Sequence, residues 1–401
     1  MTFSATSTPR DPGLDLLRAL AILVVMLYHL SSHGFALPAI VERGWMGVDL
    51  FFVLSGYLIG WQLLRQTVDG GRPDWRAFML SRALRVLPAY LAVLALYAWV
   101  PAFREAESLQ PVGYFLTFTV NLFPDYQHYR AYSHAWSLCV EEHFYLLLPL
   151  ALRLLGRSSG IVRVLLCAAL LVAGGMLLRG WLWQHEVAPQ LLPGGDGRLG
   201  VIRYVEAIYN PTWTRLDGLL AGVLLAALRA FRPAWWARAL AHGRAFLALG
   251  AAGVVASIYG EPYGLTGAIV QFPLIACSFA CLLLAALGTA TRLDSPHWPR
   301  WPHWLAVPGS RQLAVLAFSL YLTHKQVYAW VDAALPDFAE AAPLSAFLVY
   351  NAAALLAATV LYAAVERPGL MLRARMLARR QTRGLPCADA DALPQQAPTL
   401  P

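Results

Sequence analysis

Leu14-Asp15-Leu16-Leu17-Arg18 runs into Ala19-Leu20-Ala21-Ile22-Leu23-Val24-Val25-Met26-Leu27-Tyr28-His29, and this stretch decides how the chain is read. An arginine and a histidine eleven residues apart turn through about 1100° on a helix, so both fall on one face. They lie about 16 Å apart along its axis. Only Ala, Leu, Ile, Val, Met and Tyr separate them, a composition suited to lipid or to a protein core. A helix with a cation at one end and a titratable ring along the same apolar stripe is costly unless the stripe is used.

The rest of the chain fits that setting. Of 401 residues, 58% are hydrophobic and 13% charged, about half the charge of an average soluble protein. This predicts an all-α, polytopic integral membrane protein. Ten apolar segments are long enough, or nearly so, to cross about 30 Å of hydrocarbon: residues 14–32, 46–64, 83–101, 135–152, 164–181, 213–228, 245–259, 265–290, 313–330 and 342–365. With the N-terminus inside, 23 of the 31 basic residues fall in inner segments. Arg43, Arg104, Arg130, Arg179, Arg198, Arg203 and Arg215 fall outside, and Lys325 within a span. Such a positive-inside bias predicts that both termini are cytoplasmic, and it accounts for the net charge of +8 without nucleic acid. The apolar piece 112–123 is too short to span and reads as re-entrant or interfacial.

Residues 1–13 form a cytoplasmic segment without the features of a cleaved signal peptide, so the first helix is expected to stay as an anchor. Residues 14–368 form one transmembrane domain. Residues 369–401 are a basic, then Pro/Ala-rich tail, expected to be disordered from about 381. The cysteines read as small buried hydrophobes. His29 and His33 lack a third ligand, so no metal is expected.

Ionisable residues inside a membrane mark sites or pathways. His29, Asp49, Glu141 and Glu142 all project to the outer half, a set suited to general-base chemistry with a carboxylate orienting the imidazole. A buried histidine satisfied for packing alone would look the same. Arg82 and Arg85, three apart at the inner mouth of the third span with Arg18 at that level, could hold phosphates, lipid headgroups or simply signal topology.

At these residues the sequence resembles the membrane-bound acyltransferase-3 family, typified by O-antigen acetylases and Nod-factor acetyltransferases. Arg18 and His29 match its arginine-x10-histidine signature. Gly44 to Tyr57, Arg82 with Arg85, and Trp136 to Tyr145 match three further blocks. Arg215-Leu216-Asp217-Gly218, Ser319 to His324, and Val365-Glu366-Arg367-Pro368 fit later positions. The resemblance implies an enzyme of the bacterial inner membrane that moves an acyl group, usually acetyl from acetyl-CoA, to a hydroxyl of a carbohydrate or glycolipid. Arg18, Arg82 and Arg85 would hold the coenzyme's phosphates. His29 would act at the transfer centre, and Asp49 with Glu141 would orient or tune it. Trp136, Arg215, Asp217, Tyr321 and His324 are candidates to line the substrate site. Ser55 and Ser137 are either covalent acyl carriers or small packing residues. The tail is too short for the esterase-like domain of fused family members. A macrolide-type acceptor is one alternative, and a transporter or flippase with the charges as its pathway is another.

Overall fold

The computed structural model describes residues 11–68, 74–155, 161–191, 193–293 and 307–382, and these contain no β-strand. Thirteen helices there have eight residues or more: α1 Pro12–Leu30, α2 Met46–Val68, α3 Trp75–Trp99, α4 Trp136–Leu155, α5 Ile161–Leu182, α6 Gly197–Tyr204, α7 Asp217–Phe231, α8 Pro233–Ala241, α9 Gly243–Ile258, α10 Phe272–Leu293, α11 Ser310–Ala334, α12 Pro343–Leu361 and α13 Arg367–Thr382. Their ends follow local chemistry. The Asp11 carboxylate caps α1 by accepting from the Gly13 amide at 2.9 Å and the Leu14 amide at 3.4 Å, while Pro12 occupies the first turn. Asp74 caps α3 through the Ala77 amide at 3.0 Å.

Each of the ten expected segments is helical over most of its length. Six helices among the described residues are long and apolar enough to cross a membrane. A seventh joins them if α7 and α8, bent 116° at Arg232–Pro233, count as one span. α9 is shorter, and α4 and α11 carry several charges, so length and composition alone support fewer crossings than ten. Leu170, Leu177, Leu344 and Leu356 are each at least 67% exposed on the outward faces of α5 and α12. Contiguous apolar faces of that kind need lipid rather than water, and the chain is a multi-pass membrane protein. The 112–123 piece does not span: it holds one short turn, Val112–Leu116, whose Phe115 carbonyl accepts from the buried Tyr90 hydroxyl at 2.9 Å.

α2 and α7 pack backbone against backbone. A Cβ at Gly56 would stand 2.1 Å from the Leu219 carbonyl, and one at Gly222 would stand 2.3 Å from the Val53 carbonyl. Both helices present glycines four apart, Gly56 with Gly60 and Gly218 with Gly222, so small-residue packing joins two helices of the same chain. Around this pair α1 packs on α2, α10 and α11, and α11 packs on α12. The basic stretch expected to begin a tail is helical to Thr382. Its helix α13 packs on α3, burying Arg373 and Leu377. Residues 383–401, where the rest of the expected tail falls, lie outside the described residues.

Candidate active site

Two cavities lie between α1, α2, α4 and α11, and both are lined by Val48 and Tyr321. One, of about 740 Å³, is lined by His29, His33, Trp136, Tyr209 and Lys325 among others. The other, of about 380 Å³, is lined by Arg18, Arg65, Arg82, Arg85 and Arg373, with Glu141 as its one carboxylate among the described residues. The Arg18–His29 stripe of α1 therefore serves both: Arg18 faces the arginine cavity and His29 the histidine cavity, with Val25 between them on the wall of the latter.

In the histidine cavity, His29 Nδ1 lies 2.7 Å from His324 Nε2, and His324 Nδ1 lies 2.8 Å from the Leu320 carbonyl. A carbonyl only accepts, so in the neutral pair His324 carries its proton on Nδ1 and accepts at Nε2. His29 then donates from Nδ1 and keeps its lone pair on Nε2. α11 fixes this because His324, fully buried, sits one turn after Leu320. His33, one turn beyond His29, bonds through Nδ1 to Asp332, which also accepts from the Tyr350 hydroxyl. Lys325 pairs with Glu105 at 3.3 Å and donates to Ser133 Oγ at 2.7 Å, which explains how a lysine is carried in α11. His134, in the turn before α4, is 4% exposed. Burial first, and the Lys325 cation second, push its imidazole well below the usual histidine range, so its ring is neutral near pH 7.

In the arginine cavity Ser55 Oγ donates to Glu141 Oε1 at 2.5 Å and lies 3.1 Å from the Tyr145 hydroxyl. Arg373 holds Ser81 Oγ at 2.5 Å through Nε. Arginines from α1, α2, α3 and α13 thus converge on one small space, a donor set suited to several phosphate groups.

The structure corrects part of the expected constellation. Asp49 does not orient His29: it bonds Arg215 at 2.7 Å in a pair that is nearly fully buried, and His324 takes the orienting role. The Arg215 guanidinium is capped by Tyr209 and Phe272 at 4.3 Å each and by Trp136 at 5.0 Å. This pair props the Trp136 wall of the histidine cavity instead of lining it. Asp217 likewise lies outside both cavities, in a two-pronged pair with Arg179 at 2.8 and 3.2 Å. Glu141 belongs to the arginine cavity, and Glu142 lines neither of the two. Trp136 and Tyr321 do line the histidine cavity, and His324 stands directly behind it.

Sequence reading missed Arg65 and Arg373, His134, and the His33–Asp332 pair. Arg373 was placed in a tail, and only helix α13 folding onto α3 brings it to the cavity. His134 stands two residues before Trp136, a spacing that says nothing about burial.

The model of the acyltransferase domain family matches residues 11–363. O-acetyltransferase OatA of Staphylococcus aureus strain NCTC 8325 is 28% identical over 239 residues, 54% of this chain and 34% of its own. The Bacillus subtilis protein named "putative peptidoglycan O-acetyltransferase YrhL" is 33% identical over 230 residues, again 54% of this chain and 33% of its own. The chain thus covers about a third of the length of these curated relatives. No solved structure matches. With the family match running from the cap of α1 into the segment that follows α12, the chain belongs to the membrane-bound acyltransferase-3 family.

Proposed function

We propose that this protein is a membrane O-acetyltransferase that takes an acetyl group from acetyl-CoA and passes it to a hydroxyl of a cell-envelope glycan. The observation that carries this reading is the hydrogen-bond chain Leu320 carbonyl, His324, His29, which leaves a lone pair on His29 Nε2 at a cavity adjoining the arginine cavity. Arg18, Arg82, Arg85, Arg65 and Arg373 hold the donor's phosphates from the cytoplasmic side. The acceptor enters the histidine cavity from the outer side, where Trp136, Trp45 and Tyr28 offer flat apolar faces to a sugar ring. His29 Nε2 takes the proton of the acceptor hydroxyl as the oxygen attacks the thioester carbonyl, and the bond to His324 steadies the imidazolium that forms. His29 then returns the proton to the departing thiolate. No metal takes part in this scheme. The name of the B. subtilis relative suggests peptidoglycan as the acceptor to try first.

The test uses purified protein in proteoliposomes with [14C]acetyl-CoA and O-deacetylated peptidoglycan strands. Wild-type protein is expected to place base-labile label on the glycan, and His29→Ala to lower transfer at least a thousandfold. Unchanged transfer by a folded His29→Ala protein would remove the histidine from the chemistry. Full donor binding by an Arg82→Ala/Arg85→Ala protein would assign those arginines to topology.

A further inference from the structure

Among the described residues, His134 is the one histidine on the cavity wall with both nitrogens unpartnered. Its ring is 4% exposed, and among the described residues neither Nδ1 nor Nε2 has a hydrogen-bond partner. The Leu322 backbone comes near without reaching bonding geometry. Aromatic neighbours fix the ring in place, with Tyr132 at 5.1 Å and Tyr321 at 5.5 Å, both edge to face. Its own carbonyl is also fixed, accepting from the Tyr321 hydroxyl at 2.9 Å. A buried imidazole with both nitrogens unsatisfied is destabilising, and an apolar side chain of that size would avoid the penalty.

Its position is equally specific. The His134 ring lies 5.7 Å from that of His324, which in turn lies 4.9 Å from that of His29, so one imidazole touches both. Tyr321, held by the His134 carbonyl, lines both cavities. His134 therefore lines the histidine cavity beside the base, joined through its carbonyl to the tyrosine that borders both cavities.

We propose that His134 is a further catalytic residue, whose ring N–H donates a hydrogen bond to the acyl carbonyl oxygen during transfer. This rests on the acyltransferase reading above. As the acceptor oxygen bonds to the carbonyl carbon, the C=O π pair moves onto oxygen, and that oxyanion is what His134 holds. When the C=O re-forms, the C–S bond breaks, the thiolate leaves with its electron pair, and the proton held by His29 goes to the sulfur. His134 gains and loses no proton. A neutral ring suits this part, because it keeps one N–H and does not compete with His29 for the acceptor's proton.

The test compares His134→Phe and His134→Asn with wild type in the same proteoliposome assay, together with acetyl-CoA binding and thermal unfolding in detergent. His134→Phe is expected to lower kcat about a hundredfold or more, as loss of one oxyanion donor does. Its acetyl-CoA affinity should stay within twofold, and its melting temperature should equal or exceed that of wild type. His134→Asn, which keeps a side-chain N–H, is expected to recover at least tenfold of the loss. A His134→Phe protein with more than a third of wild-type kcat would overturn the proposal. So would a fall of more than 5 °C in its melting temperature, since the nitrogens would then serve the fold. Loss of transfer by His29→Ala alongside full activity in His134→Phe would sink this inference alone. Absence of transfer by wild type would sink the acyltransferase reading, and the melting temperature would still decide whether the fold uses the His134 nitrogens.

Discussion

Replacing His324 with Phe removes the acceptor 2.7 Å from His29 Nδ1 and changes little else, because the position is fully buried and aromatic neighbours surround it. In the resting enzyme the change leaves the His29 N–H without its partner and frees the ring to adopt the other tautomer. In the transition state of the proposed reaction the loss is larger, because there His29 would be an imidazolium and a hydrogen bond to a charged group contributes about 1.5–3 kcal/mol. At about 1.36 kcal/mol per decade, kcat should fall roughly tenfold to two-hundredfold. The acetyl-CoA KM should hardly move, since the arginine cavity, the proposed donor site, is untouched. His324→Gln places an amide oxygen where Nε2 stood and should recover part of the rate. Initial rates of labelled acetyl transfer at saturating donor, on protein checked for an unchanged melting temperature, give the answer. A His324→Phe enzyme within twofold of wild type would refute the idea that this bond sets the working tautomer of His29.

Four further outcomes follow from the same geometry. Asp49→Leu leaves Arg215 buried without its partner and should destabilise the protein by about 3–5 kcal/mol, while Asp49→Leu/Arg215→Leu should recover most of that; equal unfolding of the single and double variants would contradict the pairing. Gly56→Ala forces a methyl to 2.1 Å from the Leu219 carbonyl and should part α2 from α7, costing at least about 1–3 kcal/mol and lowering the yield of folded protein in size-exclusion chromatography. Arg373→Ala should weaken acetyl-CoA binding by about tenfold in a filter-binding assay, and unchanged affinity would confine Arg373 to holding Ser81. The His134 imidazole is depressed in the folded state, so the unfolded chain binds its proton first. Stability should therefore fall as pH drops below about 6.5, and His134→Phe should blunt that acid loss in melting curves between pH 7.5 and 5.

Hydropathy is a property of neighbours in the chain, and the sequence alone therefore determined where the helices lie. All ten apolar segments are largely helical, and the eleven-residue spacing of Arg18 and His29 put both on one working stripe. The number of crossings is less legible, because charges in α4 and α11 and the bend between α7 and α8 separate helix from simple span. The grouping of Arg18, Arg82 and Arg85 was also legible, since basic residues near helix ends share a level wherever the helices sit.

Partner choice was not. His29 is held by a residue 295 positions away, and Asp49 by one 166 positions away. Both His29 and Asp49 were expected at one depth, and depth is all that hydropathy and rise per residue define. Which polar groups at that depth touch depends on the order of helices around the bundle and on each helix's rotation about its axis. An apolar stretch such as α12 carries almost no periodic signal for that rotation. The close approach of α2 to α7 at Gly56 and Gly222 settles the rotation for Asp49 and turns it toward Arg215. The packing of α11 on α1 then brings His324 to His29, and the fold of the turn before α4 sets His134 beside them. Sequence thus put His29 and the arginines on the walls of these cavities, while tertiary packing alone decided which groups touch them.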